Sequence, residues 1–293
     1  MLVSVFDVGG NHISTAIYNT ATASLVNEIS CRHFKETDAD GPLDILTSLA
    51  TQATEHSMRM VDGLSIAAPS PFDYANGISQ MQHKLHQLYG VDLKHVLAEK
   101  THLPPASIVF LNDADAFLFG ALESSPSSRL RSIGIVLGTG IGSGFAVDGE
   151  VVTSGADISP GGEIWNLPFE QTTVEGAIST SSIVGAYARR TGVTVTVKAI
   201  AAAARKSDAD ARDTFSHFGL QLAKVLEQID RAFSPEQIFL GGGIVGAADL
   251  FLPVVQRTLD RPERIMVIQN TSAAPLIGAG LAWKKAMSGD SSA

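Results

Sequence analysis

The sequence predicts an α/β protein with two domains. Short β-type runs alternate with amphipathic helical segments along the 293 residues, which is typical of sheets covered by helices. A strand, a turn of small residues and a returning strand occur at residues 2–18 and again at 132–152, which indicates two halves of similar fold. We expect an N-terminal domain over 1–115, a C-terminal domain over 116–275, and a last helix over about 276–290 that packs back on the first domain.

Runs rich in β-branched and apolar residues predict the strands of the first half, and helical spacing predicts one covering helix. The first two runs alternate around a Gly-Gly turn and form a hairpin with Asp7 at its turn. The covering helix begins at Pro42 and carries Asp44 in its first turn. The predicted strands are 2–7, 13–18, 25–29 and 63–68, and the predicted helix is 42–60.

A strand-to-helix corner lies at Asn112 and Asp113. An apolar run over 108–111 stops there, and a helical segment with Phe117 and Leu122 follows at once. The positive end of a helix favours an ionised carboxylate, and such a carboxylate can take a proton from a bound hydroxyl. The alternative is that Asn112 or Asp113 only caps the helix, because both residue types lead the capping ranks.

The second half carries clear start and stop signals. Gly192 follows two arginines at the end of one helix, and Ser234 and Pro235 end a longer helix that begins near Asp208. The predicted strands are 132–137, a hairpin over 145–152 that turns at Asp148-Gly149, and 237–240; the predicted helices are 179–190, 208–233 and the last one from about 276.

Glycine clusters follow apolar strands at residues 9–10, 138–144 and 241–243. Because glycine lets backbone N–H groups approach an anion, each cluster is a candidate phosphate loop, with a tight turn as the alternative. A dinucleotide-binding fingerprint requires a helix after its glycines, whereas a strand is predicted after Gly144. The chain contains no Gly-Lys pair, which excludes the ordinary P-loop.

Charge and composition exclude several functions. Lys and Arg number 21 against 30 Asp and Glu, for a net charge of −9, so no nucleic-acid partner is expected. The sequence has no basic leader and no run of about eighteen apolar residues, so we expect a cytoplasmic protein without a membrane partner. Cys31 is the only cysteine, which excludes an internal disulfide and a multi-cysteine zinc site.

Taken together, the motifs resemble the ROK family of sugar kinases and sugar-responsive repressors, within the actin-like ATPase superfold. The likeness runs over most of the chain and rests on the order and spacing of motifs that are individually weak. The matching segments are 7–10 (Asp-Val-Gly-Gly), 111–114 (Leu-Asn-Asp-Ala), 138–142 (Gly-Thr-Gly-Ile-Gly), 161–164 (Gly-Gly-Glu-Ile) and 241–244 (Gly-Gly-Gly-Ile). The resemblance implies a two-domain actin-like ATPase (ribonuclease H-like) fold with a central cleft.

The resemblance also implies roles for individual residues. Asp113 would be the general base, and Asp7 would hold Mg²⁺ through water. The implied residues for the sugar are Asn112, Asp113, Glu163, Asn166 and Glu175, and those for ATP are Gly9, Gly10, Asn11, Thr139, Gly140, Gly241, Gly242 and Gly243. The alternative for Glu163 and Glu175 is a solvated surface charge. A homodimer is expected by family analogy alone.

Departures from the family pattern limit what carries over. Asn11 and His12 stand where the first loop usually has Thr and then Lys or another residue, which alters the hydroxyl contact to phosphate. Trp165 and Asn166 replace a Gly and a His, and three zinc-binding cysteines are missing, so no zinc is expected and the shape of the sugar pocket does not carry over. The chain starts directly at the first strand, without a helix-turn-helix, so a DNA-binding repressor is not expected.

The leading hypothesis is an ATP- and Mg²⁺-dependent kinase for a hexose or an N-acetylhexosamine. The second is a non-catalytic sugar sensor on the same scaffold, which the altered first loop and the lost zinc site favour, and which would bind sugar without turning over ATP. A third, an actin-like ATPase that acts on a protein partner, leaves Glu163 and Glu175 without a role.

Overall fold

A computed structural model describes residues 1–35, 38, 40–55, 61–82, 85–123 and 130–289. The chain divides into two compact units, Met1–Ser124 together with Ser272–Ala293, and Ser125–Thr271. Within the described ranges, no helix is both long enough and apolar enough to cross a membrane.

Strands and helices alternate in both units, as the sequence predicts. The strands are β1 (Leu2–Val8), β2 (His12–Asn19), β3 (Ser24–Leu25), β4 (Ser30–His33), β5 (Gly63–Ala68), β6 (Phe72–Asp73), β7 (Ile78–Ser79), β8 (Ile108–Asn112), β9 (Ser132–Leu137), β10 (Ile141–Val147), β11 (Glu150–Val152), β12 (Pro168–Phe169), β13 (Thr172–Thr173), β14 (Gln237–Gly241) and β15 (Ile265–Val267). The helices are α1 (Pro42–Glu55), α2 (Leu93–Thr101), α3 (Asp113–Leu122), α4 (Val174–Ile178), α5 (Thr180–Thr191), α6 (Val197–Arg205), α7 (Ala209–Phe233), α8 (Ala248–Thr258) and α9 (Ala273–Ser288).

The main sheet of the first unit has the strand order β3-β2-β1-β5-β8, with β4 beside β2. β1 and β2 form the predicted antiparallel hairpin, whereas β1, β5 and β8 run parallel. Asp7 lies opposite Ala67, and Ala68 lies opposite Asn112. Because parallel strands end at the same edge of a sheet, the last residues of β1, β5 and β8 lie together there.

The C-terminal helix α9 covers one face of this sheet. Val3 and Val5 point to that face and pack in one cluster with Trp283 of α9. α9 also lies directly against α3, because a Cβ added at Gly120 or Gly278 would collide with the backbone of the other helix. Alternate residues of β1 pack on the opposite face, in the cluster that includes α1 and α2. The helix that follows the second unit in sequence thus completes the core of the first.

The sheet of the second unit repeats the same plan. Its order is β11-β10-β9-β14-β15, with β9 and β10 antiparallel and β14 and β15 parallel to β9. α7 buries a stripe of large side chains on this sheet, including Phe215, Phe218 and Phe233. The predicted repeat of strand, turn and returning strand is confirmed.

One strand prediction is wrong. Residues 25–29 do not form a single strand, because β3 ends at Leu25 and β4 begins at Ser30. Between them the side-chain Oδ1 of Asn27 accepts a hydrogen bond from the Ile17 backbone N–H over 2.6 Å. This side-chain bond replaces a backbone ladder bond at that point of β2, so the strand is interrupted.

Other boundaries shift. β10 begins at Ile141, so Gly142 and Gly144 are strand residues rather than members of a loop. α9 begins at Ala273, a few residues before the predicted start. α1 ends at Glu55, and the remainder of its predicted span, 56–60, lies outside the described residues.

Candidate active site

The corner after β8 is held by Asn112. Its side-chain Oδ1 accepts hydrogen bonds from the backbone N–H groups of Ala114 and Asp115 over 2.9 and 3.2 Å. Its Nδ2 donates to the Tyr74 hydroxyl over 3.1 Å, and that hydroxyl donates to the Ala68 carbonyl over 3.0 Å. Asn112 is therefore the cap of α3, and the capping alternative holds for this residue.

Asp113 is the first residue of α3 rather than its cap. One carboxylate oxygen accepts a hydrogen bond from the Ala114 N–H over 2.9 Å, and the side chain is half-buried. The partial positive charge at the helix N-terminus favours the ionised carboxylate. The fold thus assigns capping to one residue of the pair and leaves Asp113 a charged group at the edge of the sheet.

Asp7 lies near the end of β1, on the face that Val3 and Val5 share. Burial, and then the negative charge of Asp113, raise its pKa from the ordinary 3.8 to about 7. The two carboxylates are therefore close enough to repel each other. A divalent cation at this edge would relieve that repulsion, and oxygen ligands are those that Mg²⁺ prefers, so these side chains fit the expected magnesium.

The first glycine cluster closes the β1–β2 turn. The Gly9 N–H donates to the His12 carbonyl over 2.9 Å, and the His12 ring covers Gly9 so closely that a Cβ there would lie 2.7 Å from Nδ1. That same Nδ1 lies 3.1 Å from the side-chain oxygen of Asn11. Burial and then the nearby His33 lower the pKa of His12, which favours its neutral form. Only Gly10 opens onto free space.

The second glycine cluster is a tight turn between β9 and β10. The Gly138 N–H donates to the Gly140 carbonyl over 3.1 Å, which leaves Thr139 exposed at the tip. The Gly138 carbonyl accepts from the Thr180 N–H, at the start of α5, over 2.9 Å. As expected, a strand rather than a helix follows this turn.

The third glycine cluster lies beside the second, because β14 pairs with β9 and places Gly241 opposite Val136. Gly242 has φ of 86°, and a Cβ there would press against the Leu137 carbonyl and lie 2.8 Å from the Leu137 nitrogen. Only glycine suits that position. A Cβ at Gly243 would meet nothing within 4 Å, so that position is open to a ligand.

The turn that carries Glu163 is fastened to β10. The buried Ser143 hydroxyl donates to the Gly162 carbonyl over 2.6 Å and accepts from the Ile164 N–H over 3.0 Å. Glu163 therefore projects from a fixed turn. Its Oε2 accepts a hydrogen bond from the indole Nε1 of Trp165 over 2.8 Å.

Glu175 joins that turn to the second glycine cluster. Its carboxylate Oε2 accepts from the Ile141 N–H over 3.0 Å, and its backbone N–H donates to the Trp165 carbonyl over 3.0 Å. Glu175 is half-buried, whereas Asn166 is exposed beside it. The surface-charge alternative is therefore wrong for Glu175.

The structure groups the predicted site residues within each unit. In the first unit Asp7, Asn112 and Asp113 gather at the edge of the sheet. In the second unit the turn that carries Glu163 and the second glycine cluster are linked by Glu175, with the third cluster alongside. Sequence reasoning missed Tyr74 and Ser143, because a buried hydroxyl reveals its role only through a partner that is distant in sequence.

Comparison with known sequences gives a family. A model of the ROK family matches residues 3–286. A glucokinase from Thermotoga maritima is 27% identical over 253 residues, which cover 75% of this chain and 77% of the glucokinase.

Solved structures share the fold. A ROK family glucokinase from Streptomyces griseus, in complex with glucose and AMPPNP, superposes with a TM-score of 0.79 at 20% identity, over 97% of this chain and 100% of that chain. A ROK family transcriptional regulator, a homolog of the E. coli MLC protein, has a TM-score of 0.74 at 18% identity, over 98% of this chain and 79% of that chain. The expected α/β fold of the actin-like ATPase type is confirmed.

Proposed function

This chain belongs to the ROK family, and from that premise we propose that it is an ATP-dependent kinase that phosphorylates a hydroxyl of a hexose or an N-acetylhexosamine. The observation that carries the proposal is the carboxylate pair Asp7 and Asp113 at one edge of the first sheet, with Asp113 at a helix N-terminus. A named glucokinase among the relatives supports the same reaction class.

Asp113 is the proposed general base. Its carboxylate takes the proton of the attacking sugar hydroxyl, the hydroxyl oxygen bonds to the γ-phosphorus, and ADP leaves. The partial positive charge of the helix N-terminus favours the ionised carboxylate, and the hydrogen bond from the Ala114 N–H fixes one of its oxygens. A positioned base contributes roughly 10²–10⁴-fold to the rate.

Asp7 is the proposed magnesium residue. Bound Mg²⁺ would supply charge stabilisation for the phosphates of ATP. Asp7 must be ionised to hold a cation, and its pKa of about 7 means that cation binding and proton loss are coupled there.

Backbone N–H groups are the proposed phosphate and nucleotide ligands. Gly10 in the first unit and Gly243 in the second open onto free space, so an anion or a nucleoside can approach the main chain at both positions. Gly9 and Asn11 shape the turn of Gly10, Gly241 and Gly242 shape that of Gly243, and Thr139 and Gly140 form the turn between β9 and β10.

Sugar hydroxyls are proposed to bind Glu163, Glu175, Asn112 and Asn166. The Asn112 oxygen already caps α3 and one Nδ2 hydrogen is bonded to Tyr74, so its sugar contact would use the remaining Nδ2 hydrogen. Glu163 and Glu175 each accept a hydrogen bond from a neighbouring donor, and a carboxylate has lone pairs for further donors such as sugar hydroxyls.

The test is an ADP-release assay with ATP, Mg²⁺ and a panel of glucose, mannose, fructose, allose, N-acetylglucosamine and N-acetylmannosamine. One sugar should stimulate turnover, and Asp113→Asn should reduce kcat by at least about 10²-fold. The Asn oxygen can still accept from the Ala114 N–H, so the fold should persist. Asp115→Asn, which removes a charge from the same helical turn, is the matched control. Near-normal turnover by Asp113→Asn would refute the mechanism.

A non-catalytic sugar sensor is the second candidate. It is favoured by the His12 ring that covers Gly9, and by the likeness to a transcriptional regulator. Thermal stabilisation by a sugar without any sugar-stimulated ADP release would select it. In either case we propose, by family analogy, a cytoplasmic homodimer. Sedimentation of the purified protein checks the oligomeric state.

A further inference from the structure

The side chain of Trp165 is unusually placed for its size. It is 41% exposed, whereas the other tryptophan, Trp283, is 2% exposed. Two hydrogen bonds nevertheless fix this residue. The indole N–H donates to the Glu163 carboxylate, and the backbone carbonyl of Trp165 accepts from the N–H of Glu175. The exposed indole is thus held through its N–H by Glu163, and the backbone of Trp165 is held by Glu175, the two acidic residues proposed to bind the sugar.

The bond to Glu163 uses the polar edge of the ring. With its N–H satisfied, the indole offers mainly its apolar faces to an incoming molecule. The carboxylate beside it offers an oxygen that accepts from hydroxyl groups. Glu163 and Trp165 therefore present a hydrogen-bond acceptor and an apolar plate side by side.

A pyranose ring has the complementary division of chemistry. Its equatorial hydroxyls point outward in the plane of the ring, while its axial C–H groups form apolar patches on the two faces. A hydroxyl that donates to Glu163 would bring a ring face towards the neighbouring indole.

We propose that Trp165 is a sugar-binding residue that packs its indole face against the pyranose ring of the acceptor sugar, while Glu163 accepts a hydrogen bond from one of the sugar hydroxyls. The inference rests on the proposed kinase function and deepens it.

Steady-state kinetics with the preferred sugar of the panel above test the proposal in the wild type, Trp165→Ala and Trp165→Phe. Trp165→Ala should raise KM for the preferred sugar roughly tenfold, the scale of one aromatic contact. Its kcat should stay within about threefold, because the ring binds ground state and transition state alike. Trp165→Phe keeps a ring but loses the N–H, so its KM should stay within about threefold of wild type.

Iodide quenching of tryptophan fluorescence supplies a readout that needs no turnover. The chain has two tryptophans, and Trp283 is shielded, so iodide reports on Trp165. The preferred sugar should protect the wild-type protein from iodide in the absence of ATP. Trp165→Phe should lose the quenchable signal and still bind that sugar by calorimetry.

The outcomes separate the inference from the proposed function. If wild type turns over a sugar but that sugar neither protects Trp165 nor requires it, the inference is wrong and the kinase stands. If Trp165→Phe is as impaired as Trp165→Ala, the residue only orients Glu163 through its N–H, which also overturns the proposal. A wild-type protein that neither turns over nor binds any sugar refutes both proposals.

Discussion

Replacing Asp7 by Asn should stabilise the first unit, and the gain should grow as the pH rises. Burial and the charge of Asp113 raise the pKa of Asp7 from 3.8 to about 7, so the folded protein holds this proton more tightly than the unfolded chain. Below pH 3.8 both states are protonated and ionisation costs nothing. Between pH 3.8 and about 7 the unfolded chain ionises first, which opposes folding, and above pH 7 the cost is complete.

The size of the effect follows from the two pKa values. At about 1.36 kcal/mol per pH unit, ionisation of Asp7 costs the folded state about 4 kcal/mol above pH 8 but only about 2 kcal/mol at pH 5. Asn has nearly the same size and no charge to desolvate. The stability difference between Asp7→Asn and its parent should therefore increase by about 2 to 3 kcal/mol from pH 5 to pH 8.5.

Urea unfolding at pH 5 and pH 8.5, in EDTA, measures this difference. In a Trp165→Phe background the buried Trp283 of α9 is the remaining tryptophan and reports on the first unit. Asp148→Asn, at an exposed turn of the other unit, controls for the loss of one negative charge. A stability difference that is the same at both pH values, or a less stable Asp7→Asn protein at pH 8.5, would show that ionisation of Asp7 does not destabilise the fold.

Two further pairs of variants test the turns and the cap. Gly242→Ala should disrupt the turn of the third glycine cluster and lower the melting temperature, because φ is 86° there and a Cβ would press on Leu137. Gly243→Ala should leave the melting temperature unchanged but weaken ATP binding, which calorimetry measures. Equal effects of the two would contradict this reading. Asn112→Ala should lose about 1 kcal/mol of stability in urea, whereas Asn112→Asp, which can still cap α3, should lose less.

Local sequence patterns sufficed for the elements whose signals lie within a few residues. The β1–β2 hairpin, the fully buried β5, the α5 helix ending at Gly192 and the long α7 helix follow from periodicity, capping residues and glycine alone. The motif order also predicted the family and the fold, because phosphate loops and a strand-to-helix acid carry their own backbone requirements.

Site assignments depended on partners far apart in the chain. The sequence left open which of Asn112 and Asp113 caps α3. In the structure Asn112 is the cap, and its side-chain amide also donates to the Tyr74 hydroxyl. Glu175 reads as a surface charge until its bond to the Ile141 backbone is seen.

What the sequence by itself determined is therefore the elements with strong local signals, the family and the candidate groups. Only the tertiary structure decided how those groups behave. The fold buries Asp7 and places it near Asp113, which raises its pKa to about 7, and it leaves the Trp165 indole exposed with its N–H bonded to Glu163. Both effects depend on burial and on charged or hydrogen-bonding partners. These depend on distances between residues in the folded protein, which cannot be read from the order of residues.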